Sequence, residues 1–290
     1  MNNKGFVLIA VLAIAGIITT LAVGFIYTVQ THTSLLSSFA DSSKAYSMAR
    51  SGLLAGLAVL KENMNSNDPD LRLPEEIVIK NPYPFEKDLV LKVEDESGKF
   101  NLNSLVFPSG AKDTEALADF KRLLKYLNLS EDIAEKTVVW IRRGTFDQSE
   151  KKSGVQVFRL ESTDEILLAS GITRPEFALL EPYVTVVGDA MVNINTAGLP
   201  VLMSLSPKIT EDMAERIRSF RVSSLFIRTS DIVKVPGFSN SGVDLIGKIS
   251  VTSSFLKLKI TVSYKDINKE VCAIVRNMEN RMVVESWREI

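Results

Sequence analysis

The chain opens with an uninterrupted apolar run. Residues 6–29 carry no charged side chain, and Lys4 is the only charged side chain before them. At a rise of 1.5 Å per residue, a helix of this length measures about 36 Å, enough to cross a hydrocarbon core of about 30 Å. A discarded secretory signal has an apolar region of only about 7–15 residues. The run therefore predicts a membrane-spanning helix whose short, positive end lies in the cytoplasm.

The helix is predicted to continue beyond the membrane, because no proline occurs before Pro69. An apolar stripe recurs at alternating steps of three and four residues: Tyr46, Ala49, Leu53, Gly56 and Leu60. This spacing places the stripe on one helix face, which we expect to pack on a globular domain. The turn-forming cluster NSNDPD at 65–70 ends the helix.

Strand-like and helix-like patterns occupy different parts of the remaining chain. Leu89, Leu91 and Val93 alternate as in a strand, and the chain beyond residue 250 alternates as three closing strands. Residues 113–183 instead show amphipathic helical repeats. The stretch 192–221 predicts a strand, a short helix, a hairpin and a longer helix.

We therefore predict an α+β protein in which a long N-terminal helix packs on an antiparallel sheet and an all-helical domain is inserted between the strands. The predicted segments are a membrane helix at 6–30, a helix extension at 31–64, a discontinuous α/β domain at 65–105 and 184–290 with a helix-hairpin-helix-like segment at 196–238, and the inserted helical domain at 106–183.

Composition excludes several function classes. With 34 basic and 35 acidic residues the net charge is −1, which gives no chain-wide attraction for nucleic acid or anionic lipid. Cys272 is the single cysteine, so an internal disulfide is excluded, and its alternating context predicts a buried structural thiol. The single histidine, His32, lies just past the apolar run. Cys/His metal sites and histidine-based catalysis are poorly supported.

Polar residues next to the strands are interpreted as structural. Asp95, Glu96 and Lys99 in EDESGK have the composition of a turn, which predicts the same residues without acid/base catalysis. The asparagines that follow two of the strands are expected to satisfy backbone groups. They are Asn101, Asn103, Asn193 and Asn195.

Several landmarks resemble a known family. KGFVLIAVL at 4–12 resembles the signal of type IV pilins and pseudopilins, in which a basic residue and a glycine precede an aromatic residue that opens a long apolar helix. DESGKFNLNSL, VVWI, TDEILLASGI and VNINTAGLPVLMSL follow in that order and, with the closing strands, resemble the K-type minor pseudopilins of the type II secretion system. The resemblance covers nearly the whole chain and implies a structural assembly subunit, with no enzymatic activity.

The resemblance also implies processing. A prepilin peptidase would cut between Gly5 and Phe6, remove the leader at 1–5 and methylate the new amine of Phe6. Most pilins carry glutamate at the fifth mature position, which here is Ala10. A shaft subunit needs that carboxylate to meet the amine of the subunit above, because an unpaired charge at membrane depth is costly. The first subunit has nothing above it, so Ala10 is the signature of a fibre tip.

The implied partners are the I-type and J-type minor pseudopilins, the major pseudopilin, the inner-membrane assembly platform and the prepilin peptidase. Ala13, Gly16 and Gly24 would allow neighbouring membrane helices to approach closely. The resemblance places the protein in the bacterial inner membrane, with a single span and the C-terminal domain in the periplasm. A tip minor pilin of a type IV pilus is an alternative that the residues do not separate from this one.

A second alternative is a membrane-anchored DNA-binding or uptake protein, because the segment at 196–238 resembles a helix-hairpin-helix module. Such modules hold phosphate with exposed backbone N–H groups in a glycine-rich hairpin. Here the hairpin reads SPKIT, with Pro207 and no glycine, and Glu211 and Asp212 place negative charge on the following helix. We interpret the segment as structural and predict no nucleic-acid partner.

A calcium ion is the one cofactor that the resemblance leaves to be considered. K-type relatives can carry carboxylate-rich calcium loops after a WIDxD-like motif, where this chain has WIRRGTFDQSEKK. Arg142 and Arg143 replace the expected acids, whereas calcium needs several converging oxygen ligands. The nearby carboxylates are Asp147, Glu150, Asp164 and Glu165. We predict that the protein binds no metal.

Overall fold

The structure is a computed structural model that describes residues 3–64, 73–79, 89–143, 157–239, 245–278 and 281–289. The described helices are α1 (Asn3–Met64), α2 (Thr114–Tyr126), α3 (Asp132–Ile141), α4 (Glu165–Ser170), α5 (Arg174–Leu180), α6 (Leu199–Ser204) and α7 (Glu211–Ser223). The described strands are β1 (Glu76–Ile79), β2 (Leu89–Asp95), β3 (Phe100–Asn101), β4 (Val184–Thr185), β5 (Val192–Asn193), β6 (Ile249–Ser250), β7 (Phe255–Tyr264), β8 (Ile267–Met278) and β9 (Arg281–Glu289).

The main sheet is antiparallel and has the order β1-β2-β7-β8-β9. Leu89, Leu91 and Val93 are buried on the face that packs on α1, as their alternation predicts. The three C-terminal strands form two consecutive hairpin pairs, as their spacing indicates. The predicted α+β class, with a long N-terminal helix on an antiparallel sheet and a helical domain, is confirmed.

The second half of α1 lies unusually close to the sheet. A Cβ atom built on Gly52 would be 2.4 Å from Ile260, and one built on Gly56 would be 2.1 Å from Leu91. Glycine at these two positions, one helical turn apart, therefore lets the helix backbone approach the strands. The predicted stripe faces the sheet, except that Tyr46 remains partly exposed at its border.

The helical part of the molecule consists of two similarly built halves. Each half begins with a two-residue strand that ends in asparagine, continues through helices and returns on a parallel strand: β3 pairs with β4, and β5 pairs with β6. A continuous buried cluster unites both halves, from Phe100 to Ile249.

This cluster differs from the predicted domain boundaries. We expected the inserted helical domain to span 106–183 and the segment 196–238 to belong with the sheet. Instead, α6 packs on α2, and Val201, Leu202 and Ile217 are buried with the other helices. The apolar faces of α6 and α7 are evident in the sequence, but their periodicity does not say which neighbouring surface they cover.

Candidate assembly surface

The first half of α1 presents apolar side chains to its surroundings along its whole length. Phe6 is 77% exposed, and the large apolar side chains from there to Val29 are exposed as well. Among the described residues, α1 contains the one stretch that is long and apolar enough to span a membrane. Such a surface is costly in water. The helix therefore fits a membrane anchor, and it is continuous with the helix that packs on the sheet.

The predicted processing and packing residues all lie on this exposed helix. Gly5 and Phe6 are within its first turns, and Ala10 is half-buried by its own helix neighbours. A Cβ atom built on Gly16 or Gly24 would have no described atom within 4 Å, apart from the chain neighbours and the backbone of its own helix turn. Both positions are therefore open to close approach. Ala13 is exposed too.

Hydroxyl groups on the apolar half are satisfied within the helix. The side chains of Thr20 and Thr28 donate hydrogen bonds of 2.9 Å to the carbonyl oxygens of Gly16 and Gly24. Bonding to the carbonyl one turn back removes the cost of an unpaired hydroxyl in an apolar medium. These threonines are therefore compatible with a membrane span.

Two lysine contacts join α1 to the end of the sheet at the turn between β7 and β8. Lys265, in the turn between β7 and β8, forms an ion pair with Asp41 at 2.6 Å, and this contact raises the lysine pKa. The side chain of Lys44 donates to the hydroxyl of Tyr264 at 3.0 Å. Ala45 is the first fully buried residue of α1. The contact between helix and sheet thus begins at about residue 41.

A carboxylate that sequence reasoning assigned only to a turn holds the two parts of the molecule together. Asp95, at the end of β2, accepts hydrogen bonds from the side chains of Asn193, Thr196 and Ser253 at 2.8, 2.6 and 2.7 Å. It also accepts one from the backbone N–H of Ser97 at 2.9 Å, which is the local contact of a turn. The turn interpretation is correct, but the three partners about 100 and 160 residues away carry no local sequence signal.

The neighbouring charges form a compact ion-pair group. Lys99 contacts Glu96 at 2.6 Å and Glu94 at 3.0 Å. Burial lowers the lysine pKa, but the two carboxylates outweigh it, so the pKa of Lys99 is raised. For Glu94, burial raises the pKa, but Lys99 together with Lys257 and Lys259 outweighs burial, so the pKa of Glu94 is lowered. Both residues therefore stay charged at neutral pH, which suits an ion pair and not proton transfer.

The asparagines take the structural role predicted for them. The side chain of Asn103 donates to the carbonyl oxygens of Leu160 and Val186 at 3.0 and 2.7 Å and accepts from the N–H of Leu160 at 2.8 Å. Asn195 bonds to the N–H and the carbonyl of Phe226 in the same manner. Each side chain thus bridges two loops of its half.

Sequence reasoning missed a buried charged group inside the helical part. Both oxygens of Asp119 on α2 accept from Lys248, at 3.0 and 2.8 Å, and Arg122 also contacts this carboxylate. Burial outweighs both cations and raises the pKa of Asp119 to about 6. Because Lys248 also donates to the carbonyl of Leu205 at 2.9 Å, the group joins three segments. We assign it a structural role.

In the hairpin between α6 and α7, two backbone N–H groups bond to side chains of the hairpin itself. Thr210 caps α7 through the N–H of Met213, and Asp212 at the helix start pairs with Arg216 at 2.7 Å. The Ser206 hydroxyl accepts the N–H of Lys208 at 3.3 Å. The geometry agrees with the capping interpretation of the sequence.

Two of the four carboxylates considered as calcium ligands, Asp147 and Glu150, lie outside the described residues. Glu165 accepts the backbone N–H groups of Glu161 and Ser162 at 2.7 and 3.2 Å, so its carboxylate caps a loop. Within the described parts of the chain, no three His, Cys, Asp or Glu side chains come close enough to hold a metal ion.

Comparison with known proteins gives consistent matches. Two family models, both described as type II secretion system (T2SS), protein K, match residues 98–189 and 192–252, together just over half of the chain. These two ranges coincide with the two halves of the helical part. A curated relative, type II secretion system protein K of Pseudomonas aeruginosa, is 26% identical over 258 residues, covering 80% of this chain and 77% of the relative.

A solved structure is similar in fold. One chain of the GspK-GspI-GspJ complex from the type 2 secretion system of enterotoxigenic Escherichia coli superposes with a TM-score of 0.66 at 16% identity. The match covers 86% of the present chain and 98% of that chain. The shared architecture thus includes both the sheet and the helical part.

Proposed function

The chain belongs to the protein K family of the type II secretion system, and from this premise we propose that it initiates and caps the periplasmic pseudopilus as a K-type minor pseudopilin. It is a structural subunit and not an enzyme. Its mechanism is assembly: α1 holds it in the membrane until partner helices join it, and the complex then rises as further subunits enter beneath. This role requires no cofactor.

Ala10 carries the proposal for the tip. After cleavage between Gly5 and Phe6, a new positive amine would lie at membrane depth, where an isolated charge costs several kcal/mol. A subunit that joins from below must bring a carboxylate to that amine. With alanine at position 10, this chain has no carboxylate to offer a subunit above it. It can therefore lead a fibre but cannot enter the shaft without leaving the amine above it unpaired.

The proposed partners are supported by the solved complex and by the packing positions on the membrane half of α1. The solved complex whose fold is similar contains GspI and GspJ, and the I-type and J-type minor pseudopilins are the proposed neighbours of this chain. The open positions at Gly16 and Gly24 support close helix packing in the membrane. The major pseudopilin, the inner-membrane assembly platform and the prepilin peptidase complete the proposed set, with the globular part in the periplasm.

The DNA-binding alternative has less support. Glu211 and Asp212 stand at the start of α7, and Pro207 removes a donor from the hairpin that would have to bind phosphate. A tip minor pilin of a type IV pilus would use the same helix and the same Ala10. The protein K family match favours the secretion system.

N-terminal sequencing and intact mass of the membrane-extracted protein test the proposal. We expect a mature chain that begins at methylated Phe6 and retains the whole apolar helix. An intact Met1, or a cut beyond residue 25, would contradict it. Deletion of the chain should also stop pseudopilus formation and secretion, and re-expression should restore both.

A further inference from the structure

The helical part is joined to the sheet by a narrow connection. Residues 100–250 form one insertion between β2 and β7, which are neighbours in the sheet with Asp95 opposite Leu256. The chain therefore leaves the sheet through residues 96–99 and returns through residues 251–254 at adjacent positions. We call these two segments together the neck.

The two segments of the neck are bonded to each other. The hydroxyl oxygen of Ser97 accepts hydrogen bonds from the backbone N–H groups of Ser254 and Phe255, at 2.9 and 3.0 Å. Hinges between rigid bodies are commonly a few residues at the ends of such elements. Because the two segments lie side by side, they provide a single place about which the helical part can rotate.

The apolar cores on the two sides of the neck are separate. One buried cluster runs from Phe100 to Ile249 within the helical part, and the other joins α1 to the main sheet through residues such as Leu53 and Leu91. Among the described residues, none belongs to both clusters. Two bodies without a large apolar interface are expected to move relative to each other. Apolar burial therefore stabilises each body internally more than it fixes the angle between them.

A groove of about 1140 Å³ lies between the two bodies beside the neck. Lys257 and Lys259 line it from the sheet, and Leu225 and Ile227 line it from the helical part. Asp95 lies in the wall of the same groove, at the end of β2. The helical part therefore has room to rotate on this side, and solvent in the groove reaches the Asp95 carboxylate.

Asp95 makes short hydrogen bonds that cross from the sheet to the helical part. Its Oδ2 atom accepts from the side chains of Asn193 and Thr196, at 2.8 and 2.6 Å, and from Ser253 in the neck at 2.7 Å. Its Oδ1 atom accepts the backbone N–H of Ser97 at 2.9 Å. One oxygen thus holds the helical part, and the other caps the local turn.

Two other contacts between the bodies are weaker. Arg288 on β9 donates to the hydroxyl of Ser162 at 3.5 Å, which is the long limit of a hydrogen bond, and this pair is exposed. The ring of Phe255 lies beside Gly188. These contacts leave the Asp95 hydrogen bonds as the strongest restraint that we find on the angle.

We propose that the helical part rotates as one body about the neck and that Asp95 is the latch that fixes its angle to the sheet. Release exchanges the hydrogen bonds of Oδ2 for hydrogen bonds to water in the groove. This inference rests on the proposed function for its use. At a fibre tip, release of the latch lets the helical part change direction while α1 stays in the membrane bundle.

Asp95→Asn separates the latch from the turn. The asparagine oxygen can keep the N–H of Ser97, but its NH2 group then faces the side chain of Asn193, which is also a donor. Asn193 is held in this orientation because its own oxygen accepts the N–H of Asn195 at 3.1 Å. The matched control is Asp113→Asn, since Asp113 caps α2 through one carboxylate oxygen and asparagine is an equally good cap.

Double electron–electron resonance on the detergent-solubilised full chain measures the angle. Spin labels are attached through Ser219→Cys on α7 and Thr261→Cys on β7, both exposed, after Cys272→Ala removes the single natural thiol. With Asp95 intact we expect one narrow distance distribution. Asp95→Asn should raise the population outside that peak about tenfold or more, because a hydrogen bond to a charged group is worth at least about a factor of ten. Asp113→Asn should match the chain with Asp95 intact.

A label pair inside the helical part distinguishes rotation from loss of structure. The distance between Lys125→Cys and Ser219→Cys, both on exposed helix positions, should stay equally narrow in every variant. An exchange of donor and acceptor, Asp95→Asn with Asn193→Asp, should restore most of the narrow distribution between the bodies, because the new amide then donates to a carboxylate.

The outcomes separate the two proposals. The inference is overturned if the distance between the bodies stays narrow in Asp95→Asn, if the exchanged pair does not narrow it again, or if the pair inside the helical part broadens as well. None of these results touches the proposed function, because they concern the isolated chain. An intact Met1 in the membrane-extracted protein would instead remove the proposed function and leave the measured distances unchanged.

Discussion

Gly98 lies at the junction between the sheet and the helical part, and replacing it by alanine would disturb that junction. The added Cβ atom would be 2.6 Å from the hydroxyl oxygen of Thr196 and 3.0 Å from the backbone N of Ala197, where ordinary contacts begin near 3.4 Å. Gly98 does not have a positive φ, so its backbone conformation suits alanine. Without the clash, alanine would stabilise the protein by about 0.4–1 kcal/mol.

Whether Gly98→Ala raises or lowers the free energy of unfolding therefore shows whether the added Cβ atom meets Thr196 and Ala197 at close range. Overpacking costs about 1–3 kcal/mol, and here the backbone of Ala197 cannot rotate away as a side chain would. Displacing Thr196 would also weaken its 2.6 Å hydrogen bond to Asp95, of a kind worth about 1.5–3 kcal/mol. After the gain from alanine is subtracted, we expect Gly98→Ala to lower the free energy of unfolding by about 1–4 kcal/mol.

Denaturant unfolding of the detergent-solubilised full chain measures this effect. The chain has two tryptophans, Trp140 in the helical part and Trp287 on β9, so single-tryptophan variants report on each part separately. Gly98→Ala with Thr196→Ala should recover only part of the loss, because the backbone contact remains. Gly24→Ala is the control, since nothing lies within 4 Å of its added Cβ. Stability at or above the wild-type value in Gly98→Ala would refute the close contact.

Three further predictions concern other parts of the chain. Ala10→Glu should leave cleavage after Gly5 intact but reduce the number of fibres that start; normal fibre assembly would show that the missing carboxylate does not set the tip position. Asn103→Ala should cost about 3 kcal/mol in urea unfolding, because three backbone groups, two of them in buried hydrogen bonds, lose their partner. A cost below about 1 kcal/mol would contradict this. Burial raises the pKa of Asp119 from 3.8 to about 6, so the folded state binds more protons and stability from this group falls as pH rises from 4 to 6. Wild type should therefore lose stability relative to Asp119→Asn across that interval in thermal unfolding, and parallel pH profiles would contradict the shift.

Local patterns in the sequence were sufficient to predict the features that depend on residues close together along the chain. The uncharged run at 6–29 determines that α1 begins as an apolar helix, and the alternation from Leu89 to Val93 determines which side chains of β2 are buried. The position of Pro207 and the charges that follow it in the sequence were enough to question a phosphate-binding hairpin. Ala10 is likewise a property of the sequence, and its meaning comes from an assembly that a single chain does not contain.

The tertiary structure decided the features that join distant residues. Asp95 holds Asn193 and Ser253, and Asp119 holds Lys248, because the chain returns to these places after about 100 residues or more. Periodicity reports only which face of an element is apolar. The predicted boundaries grouped the helices at 199–223 with the sheet strands, whereas these helices are buried together with α2.

Residues 30–40 of α1, which are all exposed, show both contributions in one helix. The apolar residues at 35, 36 and 39 and the poor helix formers around them can be found in the sequence. Whether they face the sheet, like Ala45 and Leu53, or remain exposed depends on where β7 and β8 end against α1, at Lys265 and Asp41. The sequence determined that the helix continues beyond the membrane, and only the packed structure decided how much of it the sheet covers, because coverage depends on contacts between segments more than 200 residues apart.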